Sequence, residues 1–265
     1  MTRNTVYLLG LWCVVGLLFL GVLVIPIGLG IGVALWDGDT KMLTEISAIM
    51  AVTILFTAAL FIGIRTYQAR RIRRLLQSPS PDSLLAFCRR SLRPGLIPNG
   101  DALLAHGCAN GCILYGQFAD ARSYLRSVDW EHRPPLIAAL RQAADALLCY
   151  FDTREFDRGL AIARSAQQQA SVTSAFPGAG MSKAAFAAHV QTGEVLTGQC
   201  TSSTIDALEK QFRQLPLLGK LLAAWALTQA YRNSGDTQRA NEKERFLRES
   251  APHCHALQFP SAHMN

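Results

Sequence analysis

Two long apolar runs dominate the first quarter of the chain. The first, from Val6 to Trp36, is 31 residues long and contains no charged residue and no Ser, Thr, Asn or Gln. The second extends from Ile46 to Ile64, and a short polar segment separates the two runs. A membrane-spanning helix needs about 20 mostly apolar residues. The pattern therefore predicts a two-helix transmembrane hairpin.

The remainder of the chain has the apolar spacing of helices and almost no strand signal. The predicted helices cover residues 82–92, 102–115, 118–128, 135–151, 155–170, 182–197, 204–214, 216–233 and 236–249. From residue 102 onwards they fall into four pairs, each joined by a short turn. The predicted fold class is all-α: a two-helix transmembrane hairpin followed by an α-solenoid of about four helix pairs.

These patterns divide the chain into four parts. We predict a transmembrane hairpin with a basic juxtamembrane helix in residues 1–74, then a linker with a short helix in residues 75–99. The helical-repeat domain follows in residues 100–252. Residues 253–265 are expected to form a loosely ordered tail.

The helix pairs recur at a roughly constant interval. Turns near residues 116, 154, 198 and 235 lie 38, 44 and 37 residues apart, as in a solenoid. Small or aromatic residues stand at fixed offsets around three of these turns: Ala109, Gly116, Phe118, Ala121 and Leu125; Tyr150, Phe156, Gly159, Ala163 and Ala166; and Leu227, Tyr231, Gly235, Ala240, Leu247 and Pro252. In these positions residues 100–252 resemble the tetratricopeptide repeat (TPR) family. The pair around Gly198 fits poorly.

The resemblance implies a concave face made by the first helix of each pair. Carried over by position, the partner-binding groove would contain His106, Asn110, Arg141, Asp145, Gln229, Arg232 and Asn233. A groove of this kind binds a peptide of another protein. The alternative is that these side chains form an ordinary solvated helix face.

The formal net charge of +7 is concentrated next to the second apolar run. Between residues 65 and 93, eight arginines stand against a single acidic residue, Asp82. A nucleic-acid-binding protein would instead carry its basic patch on the folded domain, so no nucleic-acid partner is expected. The basic cluster that borders the run consists of Arg65, Arg70, Arg71, Arg73 and Arg74.

That cluster predicts the orientation and the surroundings of the hairpin. Basic residues beside a span remain on the cytoplasmic side, which predicts a multi-pass protein of the cell membrane with both termini cytoplasmic. The cluster also suits anionic lipid head groups. Gly28 and Gly32 have the spacing that lets helices approach closely. They would pack within the hairpin or between two copies in a homo-oligomer.

Few residues indicate chemistry. Cys108 and Cys112 have the spacing of two ligands on one helix face, but they also occupy apolar positions of the repeat, where cysteine packs as a small hydrophobe. We found no phosphate-binding loop, no nucleophile elbow and no zinc-protease motif. We therefore expect no cofactor, no metal and no catalytic site.

The sequence thus favours a membrane-anchored, TPR-like adaptor or scaffold that recruits a cytoplasmic protein through its groove. One alternative is an oligomeric membrane effector or channel-like protein with the solenoid as sensor. A second is an enzyme whose site is not recognisable from its motifs.

Overall fold

The computed structural model describes residues 40–172 and 179–259. The chain divides into two compact units, Met1–Gln68 and Ala69–Asn265. Within the described residues the backbone is helical apart from turns and one isolated bridge between Pro94 and Ile97. The all-α prediction is confirmed.

The helices, numbered in chain order, begin and end close to the predicted residues. They are α1 Thr40–Leu76, α2 Asp82–Ser91, α3 Gly100–Leu114, α4 Phe118–Arg126, α5 Pro135–Leu148, α6 Phe156–Ser171, α7 Ala179–Leu196, α8 Ser202–Gln214, α9 Leu217–Asn233 and α10 Thr237–Ser250. A short π-helix, Cys149–Thr153, follows α5, and a 3-10 turn, His255–Leu257, follows α10. From α2 onwards, the predicted ends of the α-helices are confirmed to within three residues.

Helix α1 contains the second apolar run. Several of its large apolar side chains are exposed, with Val52, Ile54, Leu55 and Phe56 at 65–69%. Its last turn belongs to the second unit, where Leu76 is fully buried in the core.

The predicted membrane hairpin is contradicted. In the part of the chain that the structure describes, no helix combines the length and the apolar character that a membrane crossing requires. Since a span needs about 20 mostly apolar residues on one helix, the two-span topology, the multi-pass localisation and the inferred orientation of the termini are not supported. The run from Val6 to Trp36, with Gly28 and Gly32, lies outside the described residues.

Helices α3 to α10 form four antiparallel pairs, as a helical-repeat solenoid requires. The first helices of successive pairs contact one another, α3 with α5, α5 with α7 and α7 with α9. The second helices of the middle pairs also pack on the next first helix, α6 on α7 and α8 on α9. Stacking buries the apolar face that no single pair could bury alone.

The turn within each pair is closed by a residue in the left-handed backbone region. Gly116, Gly198 and Gly235 occupy this position in the first, third and fourth pairs, with φ of 77°, 74° and 79°. In the second pair a non-glycine residue, Arg154, holds it at φ 59°. Glycine adopts this conformation without steric cost, so the second turn carries local strain that the others avoid.

Three of the pairs also repeat a pattern of buried positions on either side of the turn. The residue four positions before the turn residue is buried, as is the small residue five positions after it. These pairs of positions are Cys112 with Ala121, Tyr150 with Gly159, and Tyr231 with Ala240. In the third pair the equivalent residues are Glu194 and Ser203, which are not buried. The poor fit predicted for that pair therefore has a structural counterpart.

Candidate binding surface

The predicted groove residues of α3 interact with each other. Nδ2 of Asn110 donates a hydrogen bond of 2.9 Å to Nε2 of His106, one helical turn away. The His106 ring also faces the backbone of Leu140 on α5. Burial lowers the pKa of His106 to about 4, so the ring is neutral at physiological pH.

A second buried histidine, His189 on α7, shares this environment. Its pKa is lowered to about 4, first by burial and then by the proximity of His106. Nδ1 of His189 and Oδ1 of Asn110 are buried without a hydrogen-bond partner among the described residues. Helices α3 and α7 thus share a small buried polar region, in which both histidine rings are uncharged at neutral pH.

The predicted residues of α5 and α9 are likewise paired within their own helices. Arg141 and Asp145 form an ion pair of 3.7 Å on the exposed side of α5. Nε2 of Gln229 donates to Oδ1 of Asn233 at 3.1 Å. The predicted residues therefore appear as local pairs one turn apart, and the contacts described do not join them into one continuous ligand-binding cluster.

Arg232 is the exception, because it reaches beyond its own helix. Its Nη2 donates to Oε2 of Glu244 on α10 at 2.6 Å. Its guanidinium also lies over the ring of Phe259, 4.3 Å from the centroid. Arg232 therefore links the fourth helix pair to the segment that follows it.

That segment, residues 251–259, is here named the C-terminal strap. The prediction of a loosely ordered tail is wrong for it, since Cys254 is fully buried and Leu257 is only 3% exposed. The backbone N–H of Cys254 bonds to Ala251, and Nε2 of Gln258 donates to the carbonyl of Pro252 at 2.8 Å. Residues 260–265 lie outside the described residues.

The C-terminal strap connects the last helix pair to the first. Its 3-10 turn contacts both α3 and α9. At the end of α3, a Cβ placed on Gly116 would lie 3.8 Å from Cβ of His255. The strap therefore passes the carboxyl end of α3 and packs on α9, beside predicted groove residues such as Arg232.

An aromatic cluster holds the end of the strap. The ring of Phe259 stacks on Trp225 of α9, with centroids 6.0 Å apart and planes 14° apart. Trp225 in turn packs against Phe151 at 4.7 Å, with the rings tilted by 55°. The Phe259 ring thus contacts both an indole and a guanidinium, the two kinds of group that pack most favourably on an aromatic ring.

A partly open pocket borders the strap and α10. A cavity of about 360 Å³ lies between α10 and the strap. Glu244, Leu247 and Arg248 line it from the helix, and Cys254, Leu257 and Phe259 line it from the strap. The middle of the strap is therefore anchored by Cys254 and Leu257, while the pocket leaves space beside α10.

Two arginines of the predicted basic cluster contact other parts of the chain. Arg71 of the basic cluster lies 4.7 Å from the centroid of Phe87, and Arg73 forms an ion pair of 3.6 Å with Glu249. Arg70 and Arg74 are exposed, and the side chain of Arg65 is not described.

Cys108 and Cys112 are fully buried in the core, which confirms their packing role. Among the described residues no three His, Cys, Asp or Glu side chains are grouped as metal ligands.

Sequence reasoning missed the residues that hold the strap. Trp225 was interpreted only as part of a helix, and Phe259 as part of a tail. A signal was available in the alternation of Leu257 and Phe259 after Pro252, because two large apolar side chains are unusual in a solvated terminus.

No protein-family model, curated protein or solved structure matches this chain.

Proposed function

We propose that residues 100–250 form a TPR-like helical-repeat adaptor that recruits a protein partner through its first helices. The observation that carries the proposal is that this array already holds a peptide segment, the C-terminal strap, against α3 and α9. The surface under the strap combines aromatic, cationic and apolar groups, as protein-binding surfaces do.

The TPR-like character is supported by two repeated features. One is the burial, in three of the four pairs, of the residue four positions before the turn residue and of the small residue five positions after it. The other is the left-handed turn residue in all four pairs. Both features are consequences of packing, so they support a scaffold and assign no catalytic role.

Site-specific photocrosslinking in the full chain tests this function. A photoreactive amino acid would replace Arg141 or Asn233, which are exposed on first helices, or Asp206 or Glu242, which are exposed on second helices. We expect one partner to be crosslinked, in cells, from the first-helix positions only. Equal crosslinking from the second helices, or no specific product from any position, would contradict the adaptor function.

A further inference from the structure

The surface that holds Phe259 has the chemistry of a protein-binding hot spot. Trp225 is only 5% exposed, and its ring packs against both Phe151 and Phe259. The guanidinium of Arg232 lies over the Phe259 ring, 4.3 Å from its centroid. Trp and Arg in a well-packed pocket carry most of the binding energy at many interfaces.

The helix pairs do not depend on Phe259 for their own packing. The first helices contact one another directly from α3 to α9, and α9 packs along α10. The cavity of about 360 Å³ shows that the strap leaves space along α10. Removal of the Phe259 ring would therefore expose the aromatic surface while the helix pairs remain in place.

We propose that Phe151, Trp225 and Arg232 form a binding surface for a partner segment with an aromatic side chain, and that Phe259 occupies it as an intramolecular competitor. The proposal rests on the adaptor function above and specifies its partner. The partner segment carries an apolar residue two positions before its aromatic residue, as Leu257 precedes Phe259.

The charge of the surface also limits the kind of partner segment that it can bind. Glu244 already neutralises Arg232 through a hydrogen bond of 2.6 Å. The guanidinium therefore offers mainly its face, which favours an aromatic ring over a carboxylate. An uncharged aromatic motif fits this surface better than an acidic peptide does.

The path of the backbone after α10 explains why Phe259 of the same chain occupies this surface. Helix α10 ends at Ser250, and a turn between Ala251 and Cys254 directs the strap back over α9. An intramolecular ligand on a short tether has a high effective concentration. A partner must therefore compete with Phe259, and the free surface binds more tightly than the occupied one.

Fluorescence polarisation with a labelled peptide tests the proposal. The peptide has the sequence of residues 252–259 with Cys254→Ser, and it is titrated with the full chain or its variants. We expect Phe259→Ala to bind it at least tenfold more tightly than the natural chain. A peptide with alanine in place of its phenylalanine should not bind.

Variants of the surface provide the matched controls. In the Phe259→Ala background, Arg232→Gln should weaken binding at least tenfold, whereas Arg245→Gln, at an exposed arginine of α10, should leave it unchanged. Circular dichroism verifies that each variant is folded. If Arg232→Gln does not fold, the proposal is still tested by the Phe259→Ala chain, which should bind the peptide with phenylalanine and not the peptide with alanine.

Three outcomes would overturn the proposal. The first is equal peptide affinity of the natural chain and Phe259→Ala. The second is binding that does not respond to Arg232→Gln in a folded chain or to loss of the peptide's phenylalanine. The third is a natural chain that is dimeric by light scattering and becomes monomeric in Phe259→Ala, since the strap would then be exchanged between copies.

Failure of the proposed function would look different. If the peptide binds but no partner is crosslinked from the first helices, the adaptor function is refuted and the proposed aromatic binding surface is retained. If a partner is crosslinked but the peptide does not bind, the adaptor function is retained and the proposed role of Phe259 as a competitor is refuted.

Discussion

Gly159 lies directly against the ring of Tyr150. A Cβ at residue 159 would stand 2.7 Å from Cδ1 of Tyr150 and 3.1 Å from Cβ of Cys149. Tyr150 cannot move aside easily, because it is fully buried and its hydroxyl donates to the carbonyl of His189 at 3.1 Å. The close approach of α6 to the end of α5 thus depends on the absence of a side chain at residue 159.

We therefore expect Gly159→Ala to destabilise the repeat domain, although alanine is the better helix former. Overpacking of a filled core costs about 1–3 kcal/mol, which exceeds the gain of roughly 1 kcal/mol in helix propensity. Chemical denaturation of the full chain measures the difference. Ala161→Gly, at an exposed position of the same helix, is the control that measures the effect of helix propensity alone. A Gly159→Ala variant more stable than the natural chain would contradict this packing.

The left-handed turns give a pair of opposite predictions. Arg154 has φ of 59° where the other pairs have glycine. Arg154→Gly should remove strain of roughly 1–2 kcal/mol, partly offset by the greater flexibility of glycine in the unfolded chain. Its melting temperature should therefore be equal to or above that of the natural chain.

Gly235→Ala should act in the other direction and lower the melting temperature, because alanine would have to adopt φ of 79°. A Cβ there meets no atom within 4 Å, so the loss would come from the backbone conformation alone. Equal changes in the same direction for both variants would show that turn conformation does not control stability.

An ion pair between α8 and α10 yields a third prediction. Nζ of Lys243 lies 2.8 Å from Oε1 of Glu209 and 4.3 Å from the centroid of the Phe212 ring. The Lys243 side chain is only 9% exposed, and Tyr231 donates to the same carboxylate at 2.9 Å.

Glu209→Leu would leave the buried ammonium without its anion. Breaking a buried pair in this way costs about 3–5 kcal/mol, and the partial exposure of Glu209 places the expected value at the low end. Glu209→Leu combined with Lys243→Met should recover much of the loss. A double variant no more stable than Glu209→Leu would contradict a dominant role of the unpaired charge.

The buried histidines predict a loss of stability in mild acid. Both His106 and His189 have pKa values lowered to about 4 by burial, against about 6.5 in an unfolded chain. Between these values the unfolded state binds more protons, so stability should fall as the pH is lowered from about 6.5 towards 4. The slope is at most about 1.4 kcal/mol per pH unit for each histidine.

Urea denaturation at several pH values, compared with a His106→Gln, His189→Gln double variant, isolates this contribution. The double variant should have a shallower slope between pH 6.5 and 4, whereas carboxylates that titrate in the same range remain in both proteins. Identical slopes would show that the histidines are hydrated in the folded state.

Cys254 can report the position of the C-terminal strap. Its side chain is fully buried, and burial raises the pKa of the thiol to about 12. Alkylation at pH 8 should therefore be slow at Cys254 and faster at the half-buried Cys200. Phe259→Ala should increase the rate at Cys254 without changing the rate at Cys200, as peptide mapping by mass spectrometry would show. An unchanged rate at Cys254 would mean that Phe259 does not hold the strap in place.

The helices were predictable because their cause is local. Alanine and leucine recur at helical spacing, and Gly116, Gly198 and Gly235 mark the turns in the sequence itself. The second turn was also predicted, although Arg154 gives no sign of its left-handed conformation. Such a conformation at a non-glycine residue is imposed by the surrounding packing.

The binding surface was less predictable, because it depends on contacts between distant parts of the chain. The proposed groove residues were chosen by repeat offset. Their spacing of four residues also predicts pairing along one helix, which is what Arg141 with Asp145 and Gln229 with Asn233 show. The contact of Arg232 with Phe259 joins residues 27 positions apart in the sequence, and no periodicity indicates it.

The path of the strap also bears on how the domain comes apart. An open array of repeats frays from its ends, since each terminal unit contacts only one neighbour. Here His255 lies against the end of α3 while Phe259 is anchored on α9, so the first and last units share a tether. Loss of either end disturbs the other, and the array should unfold in one cooperative transition where an untethered solenoid would melt stepwise.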